Sequence, residues 1–143
     1  MTRRAVLVVE DGTEYVDAFR RLAPESADVE WLHAADAAAA RAVLTGRKVD
    51  AIFLDVVFDR TPPDRLVGDP ARGVEHLARN QGFHVLAEIA PLVAAGVPVL
   101  LAHDFSNQGA RLQALREKVP GLEGVLEGET TTRVLERLTS SVP

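Results

Sequence analysis

Apolar and polar positions along this chain follow two different periods. Near-continuous apolar runs, rich in β-branched residues, are typical of strands buried on both faces, and they occur at residues 4–9, 29–32, 49–54 and 97–101. A briefer fifth run lies at residues 124–126. After the first run, Tyr15, Val16, Phe19 and Leu22 have the spacing of one helix face. Segments of the two kinds alternate along the whole chain, which predicts strands and helices in turn.

Helix boundaries support this order. Pro24 ends the first helix, and Asp36 can cap an alanine-rich second helix that ends near Gly46. Buried strands that alternate with amphipathic helices give a parallel sheet with helices on both faces and right-handed crossovers. We therefore predict an α/β fold of the flavodoxin-like type, doubly wound, with five parallel strands in the order 2-1-3-4-5.

The composition narrows the class of protein. A length of 143 residues suits one hydrophobic core, so we predict a single domain over residues 1–143. With 47% apolar and 26% charged residues the chain is not a disordered polymer, and its apolar runs fall far short of the ~20 residues of a membrane span. Absence of cysteine excludes disulfides and thiolate metal sites, and a net charge of −5 argues against nucleic-acid binding. No secretory leader is visible, so we expect a cytoplasmic protein with neither a membrane nor a nucleic-acid partner.

Acidic and imidazole side chains follow three strands that are neighbours in the predicted sheet. Glu10 and Asp11 come after strand one, Asp55 after strand three, and His103 with Asp104 after strand four. Ligands bind beyond the carboxyl ends of parallel strands where the strand order reverses, so we expect these groups to meet at one rim. Carboxylates this close repel one another, and Mg²⁺, which prefers oxygen ligands, would relieve the repulsion.

Each acid also has a plainer interpretation. Glu10 or Asp11 alone would serve as a cap, because acidic side chains accept hydrogen bonds from the first backbone N–H groups of a helix. Asp55 lacks that role, since Val56 and Val57 follow it rather than an obvious helix. With a cation beside it, a carboxylate in this position can act as a nucleophile toward phosphorus.

Several segments, in order along nearly the whole chain, resemble a two-component response-regulator receiver domain, the CheY-like family. The segments are Val8-Val9-Glu10-Asp11, Phe53-Leu54-Asp55, the Gly82-x-x-x-Leu86 opening of a helix, Pro98-Val99-Leu100-Leu101 and Gly121-Leu122-Glu123-Gly124-Val125-Leu126. The resemblance implies that Glu10, Asp11, Asp55 and the backbone carbonyl of Val57 coordinate Mg²⁺. It also implies that Asp55 accepts phosphate from a sensor histidine kinase or a phosphotransfer protein, and that an unknown downstream protein receives the output by direct contact.

Three positions depart from the family pattern. The Thr or Ser that contacts the phosphoryl group falls on His103, the Lys that pairs with it falls on Gly128, and the aromatic switch residue falls on Val125. Next to the missing lysine, Glu129 would repel phosphate. His103 either donates to a phosphoryl oxygen, joins the rim acids as a transition-metal ligand, or packs against the rim without chemistry.

An insertion after strand three, at about residues 59–80, is the second departure. Asp69 and Pro70 predict a helix start, followed by a helix over residues 71–79. The arginines of the insertion, Arg60, Arg65 and Arg72, either reach over Asp55 and supply the missing cation or remain solvated.

Three functions follow from these patterns. The first is a phosphorylation-controlled switch, not an enzyme, that is modified on Asp55. The second is a pseudo-receiver, a protein-binding module that works without phosphorylation, which the residues at 103, 125 and 128 favour. The third is a small metal-dependent phosphohydrolase that uses Asp55 and His103, for which the sequence offers no activating lysine or second base.

Overall fold

The computed structural model of the protein describes residues 3–24 and 27–140. Its strands are β1 (Arg4–Val9), β2 (Val29–Ala34), β3 (Ala51–Leu54), β4 (Val99–Leu101) and β5 (Leu122–Gly124). They form one sheet in the order β2-β1-β3-β4-β5, and all neighbouring strands are parallel. The predicted fold class is confirmed.

Helices cover both faces of this sheet. They are α1 (Glu14–Leu22), α2 (Ala37–Gly46), α3 (Val74–Arg79), α4 (Gln81–Ile89), α5 (Gly109–Arg116) and α6 (Thr131–Thr139). Asp36 caps α2 as expected, because its carboxylate accepts a hydrogen bond of 2.8 Å from the backbone N–H of Ala39. Within the described part of the chain, we find no helix with the length and apolar character needed to span a membrane.

The sheet separates two hydrophobic cores. On one face, strand residues such as Ile52 and Leu101 pack against α2, α4 and α5. On the other face, Phe53 of β3 meets α1 and α6, and its ring lies edge-on to that of Phe19 at 5.3 Å. Burying a side chain of this size stabilises the fold by about 1.5–3 kcal/mol. The two cores hold the carboxyl ends of β1, β3 and β4 side by side.

Some strand boundaries differ from the prediction. β2 runs to Ala34, β3 begins at Ala51, and β5 occupies Leu122–Gly124 rather than residues 124–126. The register explains β5, because Leu101, the last residue of β4, pairs with Gly124 and leaves no strand partner beyond it. Val125 instead donates its backbone N–H to the carbonyl of His103.

The insertion is held against the body of the domain, and it contains three short helical pieces, at Pro63–Arg65, Pro70–Arg72 and Val74–Arg79, rather than one helix. Asp69 caps a 3₁₀ turn at Pro70–Arg72. Gly73, at φ 91°, then interrupts the helical conformation before α3 begins. The buried amide of Gln81 accepts from the backbone N–H of Val67 at 2.8 Å and donates to its carbonyl at 2.9 Å. The insertion therefore has a fixed path beside the rim.

Candidate functional site

The register of the sheet brings the predicted rim residues together. Val9 pairs with Leu54, and Leu54 pairs with Leu101, so the residues that follow these three lie side by side. Asp55 continues this alignment, because its backbone N–H donates to the carbonyl of Val9 at 2.9 Å. The carboxyl ends of β1, β3 and β4 form one edge, as the sequence predicts.

Asp55 is a partly buried carboxylate in an acidic environment. Its pKa is raised to about 6, chiefly by burial and also by the nearby charges of Glu10, Asp11 and Glu14, against one hydrogen bond from Val56 that lowers it. That bond, from the backbone N–H of Val56 to Oδ1, is 2.9 Å long. The charges of these acids disfavour ionisation of Asp55, so its carboxylate is only partly ionised near pH 6.

Gly82, near the start of α4, packs directly against the backbone of Asp55. A Cβ at this position would collide with the Asp55 carbonyl oxygen and lie 2.7 Å from Cα of Val56. The backbone N–H of Gly82 donates to the carbonyl of Val56 at 2.9 Å. Only glycine allows this approach, so α4 fixes the loop that carries Asp55.

Glu10 serves as a helix cap. Its two carboxylate oxygens accept hydrogen bonds from the backbone N–H groups of Tyr15 at 3.0 Å and Val16 at 2.8 Å, and the residue is only 1% exposed. Thr13, the N-cap residue of α1, makes no capping hydrogen bond with its side chain, so Glu10 supplies the acceptors that this helix start needs. The interpretation of Glu10 as a cap is the one that the structure shows.

Asp11 is bound by the insertion. Its Oδ2 accepts a hydrogen bond of 2.7 Å from the backbone N–H of Arg60, and its side chain is 4% exposed. The guanidinium of Arg60 lies 3.8 Å from Oδ1 of Asp11 and forms a fork on Glu14, with two contacts of 2.8 Å. These hydrogen bonds lower the pKa of Glu14 to about 2. One arginine therefore contacts two acids of the rim.

The rim residues as arranged do not fit a Mg²⁺ site. Magnesium needs carboxylate oxygens that converge on one point with room for water, whereas Glu10 points both oxygens at α1 and Asp11 turns toward Arg60. Across residues 3–24 and 27–140, no three or more His, Asp or Glu side chains are grouped so that they could hold a metal ion. Val57, expected to offer its carbonyl, has a 45% exposed side chain beside this edge.

Two further residues belong to the rim. Tyr15 packs against Phe53 with ring centroids 4.5 Å apart and the rings tilted by 47°, and burial raises the pKa of Tyr15, with further contributions from Asp55 and Glu10. Glu14 binds Arg60 as described. In the sequence pattern, Tyr15 fits the apolar face of α1, and Glu14 by itself carries no signal of a role at the rim. Their place four and five residues after Glu10, on the first turn of α1, was the available indication.

The other two arginines of the insertion bind elsewhere. Arg65 donates to Asp36 at 2.9 Å and ties the insertion to the start of α2. Arg72 lies 3.5 Å from Nε2 of His76. Arg60 thus binds acids next to Asp55, and none of the three arginines forms an ion pair or hydrogen bond with Asp55 itself in the part of the chain that the structure describes.

His103 sits in an aromatic cluster. Its ring lies between Phe83 and Phe105, at centroid distances of 5.1 and 4.7 Å, and its Nε2 donates to Oε1 of Gln108 at 2.7 Å. The guanidinium of Arg111 covers Phe83 at 3.9 Å from the ring centroid. The hydrogen-bond partner of this imidazole is thus Gln108, an amide, and the structure places His103 as a packing residue at the rim.

Beyond β5, the chain forms its own polar network. Asp104 accepts from the side chain and backbone of Ser106 and from the backbone N–H of Glu127, and these bonds lower its pKa to about 2. Gly128 turns the chain at φ 80°, a conformation that a lysine would adopt only with strain. Val125 packs into the core on the α1 and α6 side.

Glu129 does not face the rim as a free negative charge. Arg137 of α6 donates to both of its oxygens at 2.9 Å, and the Glu129 side chain is 7% exposed. Burial raises the pKa of Glu129, but the bonds from Arg137 and from the backbone of Leu126 hold it below the usual value. The expectation that Glu129 repels phosphate is wrong, because its charge is compensated by Arg137.

Comparison with known proteins agrees on the fold. No family model matches this sequence, and no curated protein matches it. Among solved structures, the receiver domain of the Francisella response regulator 1452 aligns with a TM-score of 0.61 at 12% identity, over 95% of this chain and 93% of that one. The receiver domain of NtrX from Brucella abortus aligns with a TM-score of 0.60 at 20% identity, over 96% and 99% of the two chains.

A third neighbour is a complex of CheX with CheY, BeF₃ and Mg²⁺ from Borrelia burgdorferi. It aligns with a TM-score of 0.60 at 16% identity, over 94% of this chain and 85% of that one. At such identities the likeness concerns the fold, and this chain has the receiver fold over almost its entire length. These neighbours are signalling modules, whereas function must be argued from the site.

Proposed function

We propose that this chain is a response-regulator receiver domain of a two-component phosphorelay that accepts phosphate on Asp55 and signals by protein–protein contact. The observation that carries the proposal is the position of Asp55, at the end of the central strand β3, beside the acids of β1 and with its backbone fixed by Gly82. The receiver fold of the structural neighbours supports the same role.

The transfer needs a nucleophilic oxygen and a way to compensate negative charge. An ionised oxygen of Asp55 attacks phosphorus, the P–N bond of a phosphohistidine breaks, and the leaving imidazole takes up a proton. A pKa of about 6 for Asp55 makes this oxygen available mainly above that pH. The donor would be a histidine kinase or a phosphotransfer protein, and with such a donor we infer a cytoplasmic location for the domain.

Output would pass through the face that β5, α5 and α6 form, to a downstream protein. Leu126, just after β5, is 60% exposed there and borders a cavity of about 610 Å³ that is lined by charged side chains. The residues that report phosphorylation in the family are replaced, so the coupling from Asp55 to this face would run through the cluster of Phe83, His103 and Phe105.

The test is modification of the full chain by acetyl phosphate, with and without Mg²⁺, measured by intact mass and by backbone amide chemical shifts. We expect the wild type to gain one phosphoryl group and to shift amides on β4 and β5, and Asp55→Asn to gain none. Asp104→Asn is the matched control, since it removes a rim acid after β4 and should leave the modification intact. A wild type that gains no phosphoryl group under either condition would refute the proposal.

A pseudo-receiver is the second candidate, and a specific observation favours it. The carboxylates of Glu10 and Asp11 are engaged by α1 and Arg60, while His103 is bonded to Gln108. Such a module would bind its partner with equal affinity in wild type and Asp55→Asn. No comparable observation favours the phosphohydrolase, because His103 packs between two phenylalanines.

A further inference from the structure

Three basic side chains meet where the insertion packs against α4. Arg72 lies in the 3₁₀ turn at Pro70–Arg72, His76 in α3 and His84 in α4, and we call these three residues the basic cluster. Nη1 of Arg72 lies 3.5 Å from Nε2 of His76, and the ring centroids of His76 and His84 are 6.2 Å apart. Burial lowers the pKa of His84, and the proximity of His76 and Arg72 lowers it further, as expected in an electropositive environment.

Arg72 differs from the other arginines of the insertion in its partners. Arg60, Arg65 and Arg79 each bind a carboxylate, with shortest contacts of 2.8–2.9 Å. For Arg72, the described part of the chain provides no carboxylate within ion-pair distance, and its contact is with His76. A guanidinium carries five N–H donors, so this one contact leaves most of them available to a ligand.

The acids on the neighbouring elements are bonded to other groups. Their partners are Arg79 for Glu75 of α3, the backbone N–H of Ala71 for Asp69, and Arg41 for Glu88 of α4. None of these three acids therefore balances the charge of the basic cluster.

A cavity of about 400 Å³ lies beside the basic cluster. It is lined by Arg72, Glu75, His76, Arg79 and Asn80. The two arginines of this lining against its one glutamate leave a net positive charge, and a protonated His76 adds a second. His84 is covered by the insertion, because a Cβ at Gly68 would lie 2.8 Å from Nδ1 of His84. An anion in the cavity would thus meet Arg72 and His76 first.

We propose that this cavity binds a small tetrahedral oxyanion of the phosphate or sulfate type, held by the guanidinium of Arg72 and the imidazole of His76. A planar guanidinium donates two parallel hydrogen bonds to two oxygens of such an anion. Histidine gains its positive charge as the pH falls between about 8 and 5, so the site binds an anion more tightly at lower pH. The insertion thereby acquires a ligand of its own, at residues other than those of the rim that carries Asp55.

The experiment is a sulfate titration of the full chain at pH 7.5 and at pH 5.5, followed by the backbone amide shifts of residues 72–80. Sulfate keeps its charge across this range, so a pH dependence of its binding belongs to the protein. We expect saturable shifts in the wild type, with tighter binding at pH 5.5. Arg72→Ala is expected to weaken sulfate binding by about tenfold, because it removes the charge-assisted hydrogen bonds of the guanidinium.

Lys48→Ala is the matched control for the loss of one positive charge. The Lys48 side chain is 89% exposed and precedes β3, whereas the insertion follows that strand, so this variant should keep the wild-type affinity. Arg72 is exposed as well, so its replacement should leave the fold intact. His76→Gln should lose the tightening of sulfate binding between pH 7.5 and 5.5.

Equal sulfate affinity in the wild type and Arg72→Ala would overturn the proposal, as would amide shifts that grow without saturation or an affinity that is the same at both pH values. Inorganic phosphate and O-phosphoserine, titrated in the same way, distinguish the sources of the anion. Binding of both assigns the site to phosphoryl groups on larger molecules as well as to the free ion, binding of phosphate alone assigns it to the free ion, and binding of neither overturns the proposal. The readout does not involve Asp55. Asp55→Asn should bind sulfate as the wild type does, so the two proposals fail separately.

Discussion

The two halves of the rim depart from a receiver in opposite ways. We call the residues after β1 and β3 the acid half (Glu10, Asp11 and Asp55) and those after β4 and β5 the β4–β5 half (His103, Asp104, Gly128 and Glu129). In the acid half the expected residue types are all present, but their partners are α1 and the insertion. In the β4–β5 half the residue types have changed, and the polar side chains have other partners: His103 is bonded to Gln108, Asp104 to the backbone of Glu127, and Glu129 to Arg137. A carboxylate can therefore be kept in the sequence and still be unable to bind a ligand, because another part of the protein already occupies its oxygens.

The largest expected effect is a loss of stability when the backbone of the acid half is displaced. In Gly82→Ala the added Cβ meets the Asp55 carbonyl and Val56, which are backbone atoms that cannot rotate away. We expect a loss of about 3 kcal/mol in the free energy of unfolding, as for severe overpacking. Chemical denaturation of both proteins measures it. Gly109→Ala, at a helical glycine with open space around it, should lose nothing, and a similar loss in both variants would contradict this explanation.

The next largest effect is the loss of the ion pair between Arg137 and Glu129 in the β4–β5 half. Arg137→Ala leaves the nearly buried carboxylate of Glu129 without a positive partner. We expect the free energy of unfolding to fall by about 2 kcal/mol at neutral pH. Arg133→Ala lies on the same helix but removes only an exposed pair with Glu136 at 3.8 Å, so its loss should stay below about 0.5 kcal/mol. Thermal or urea unfolding distinguishes the two. Equal losses of stability in Arg137→Ala and Arg133→Ala would show that the pair of Glu129 with Arg137 does not stabilise this half.

The smallest effect is a pH dependence in the acid half. The folded-state pKa of Asp55 is raised to about 6 from its usual 3.8, so the native state holds this proton more tightly than the unfolded chain does. Its contribution to stability is present below pH 4 and is lost as the pH rises through 6. Asp55→Asn should therefore be more stable than the wild type at pH 7.5, by about 1–2 kcal/mol after allowance for solvent screening.

Urea unfolding at several pH values checks this expectation. The stability difference between Asp55→Asn and the wild type should become small near pH 4 and approach zero at about pH 3, where Asp55 is mostly neutral in both states. Asp59→Asn, an exposed acid of the insertion, is the control and should show no comparable pH dependence. A constant difference between pH 4 and 7.5 would mean that Asp55 is not perturbed in the folded protein.

The fold was largely predictable because its strands are buried on both faces. β1 was predicted to the residue, and the strand order followed from the alternation of strands and helices. The position of β5 was not predictable in the same way, because the apolar Val125 and Leu126 extend the pattern past the point where β4 ends and pairing stops. Gly73 likewise interrupts the predicted helix of the insertion through a positive φ that sequence spacing does not reveal.

At the site, the sequence predicted which groups meet but not what each one binds. Asp55 lies where the end of an apolar strand places it. Glu10 caps α1, yet a glutamate that caps a helix and one that binds a metal can stand at the same position after a strand. The contact of Arg60 with Asp11 depends on the path of an irregular segment. Such a segment has no regular spacing of apolar residues from which its path could be predicted. Partners of this kind follow from three-dimensional packing alone.

Uptake of the phosphoryl group by Asp55 can be located chemically. The full chain is treated with acetyl phosphate, the acyl phosphate is trapped by borohydride reduction, and the product is located by peptide mass spectrometry. We expect reduction of residue 55 to homoserine in the wild type, and none in a sample that was not phosphorylated. Reduction at another acid of the rim, such as Asp11 or Asp104, with residue 55 unchanged, would contradict it.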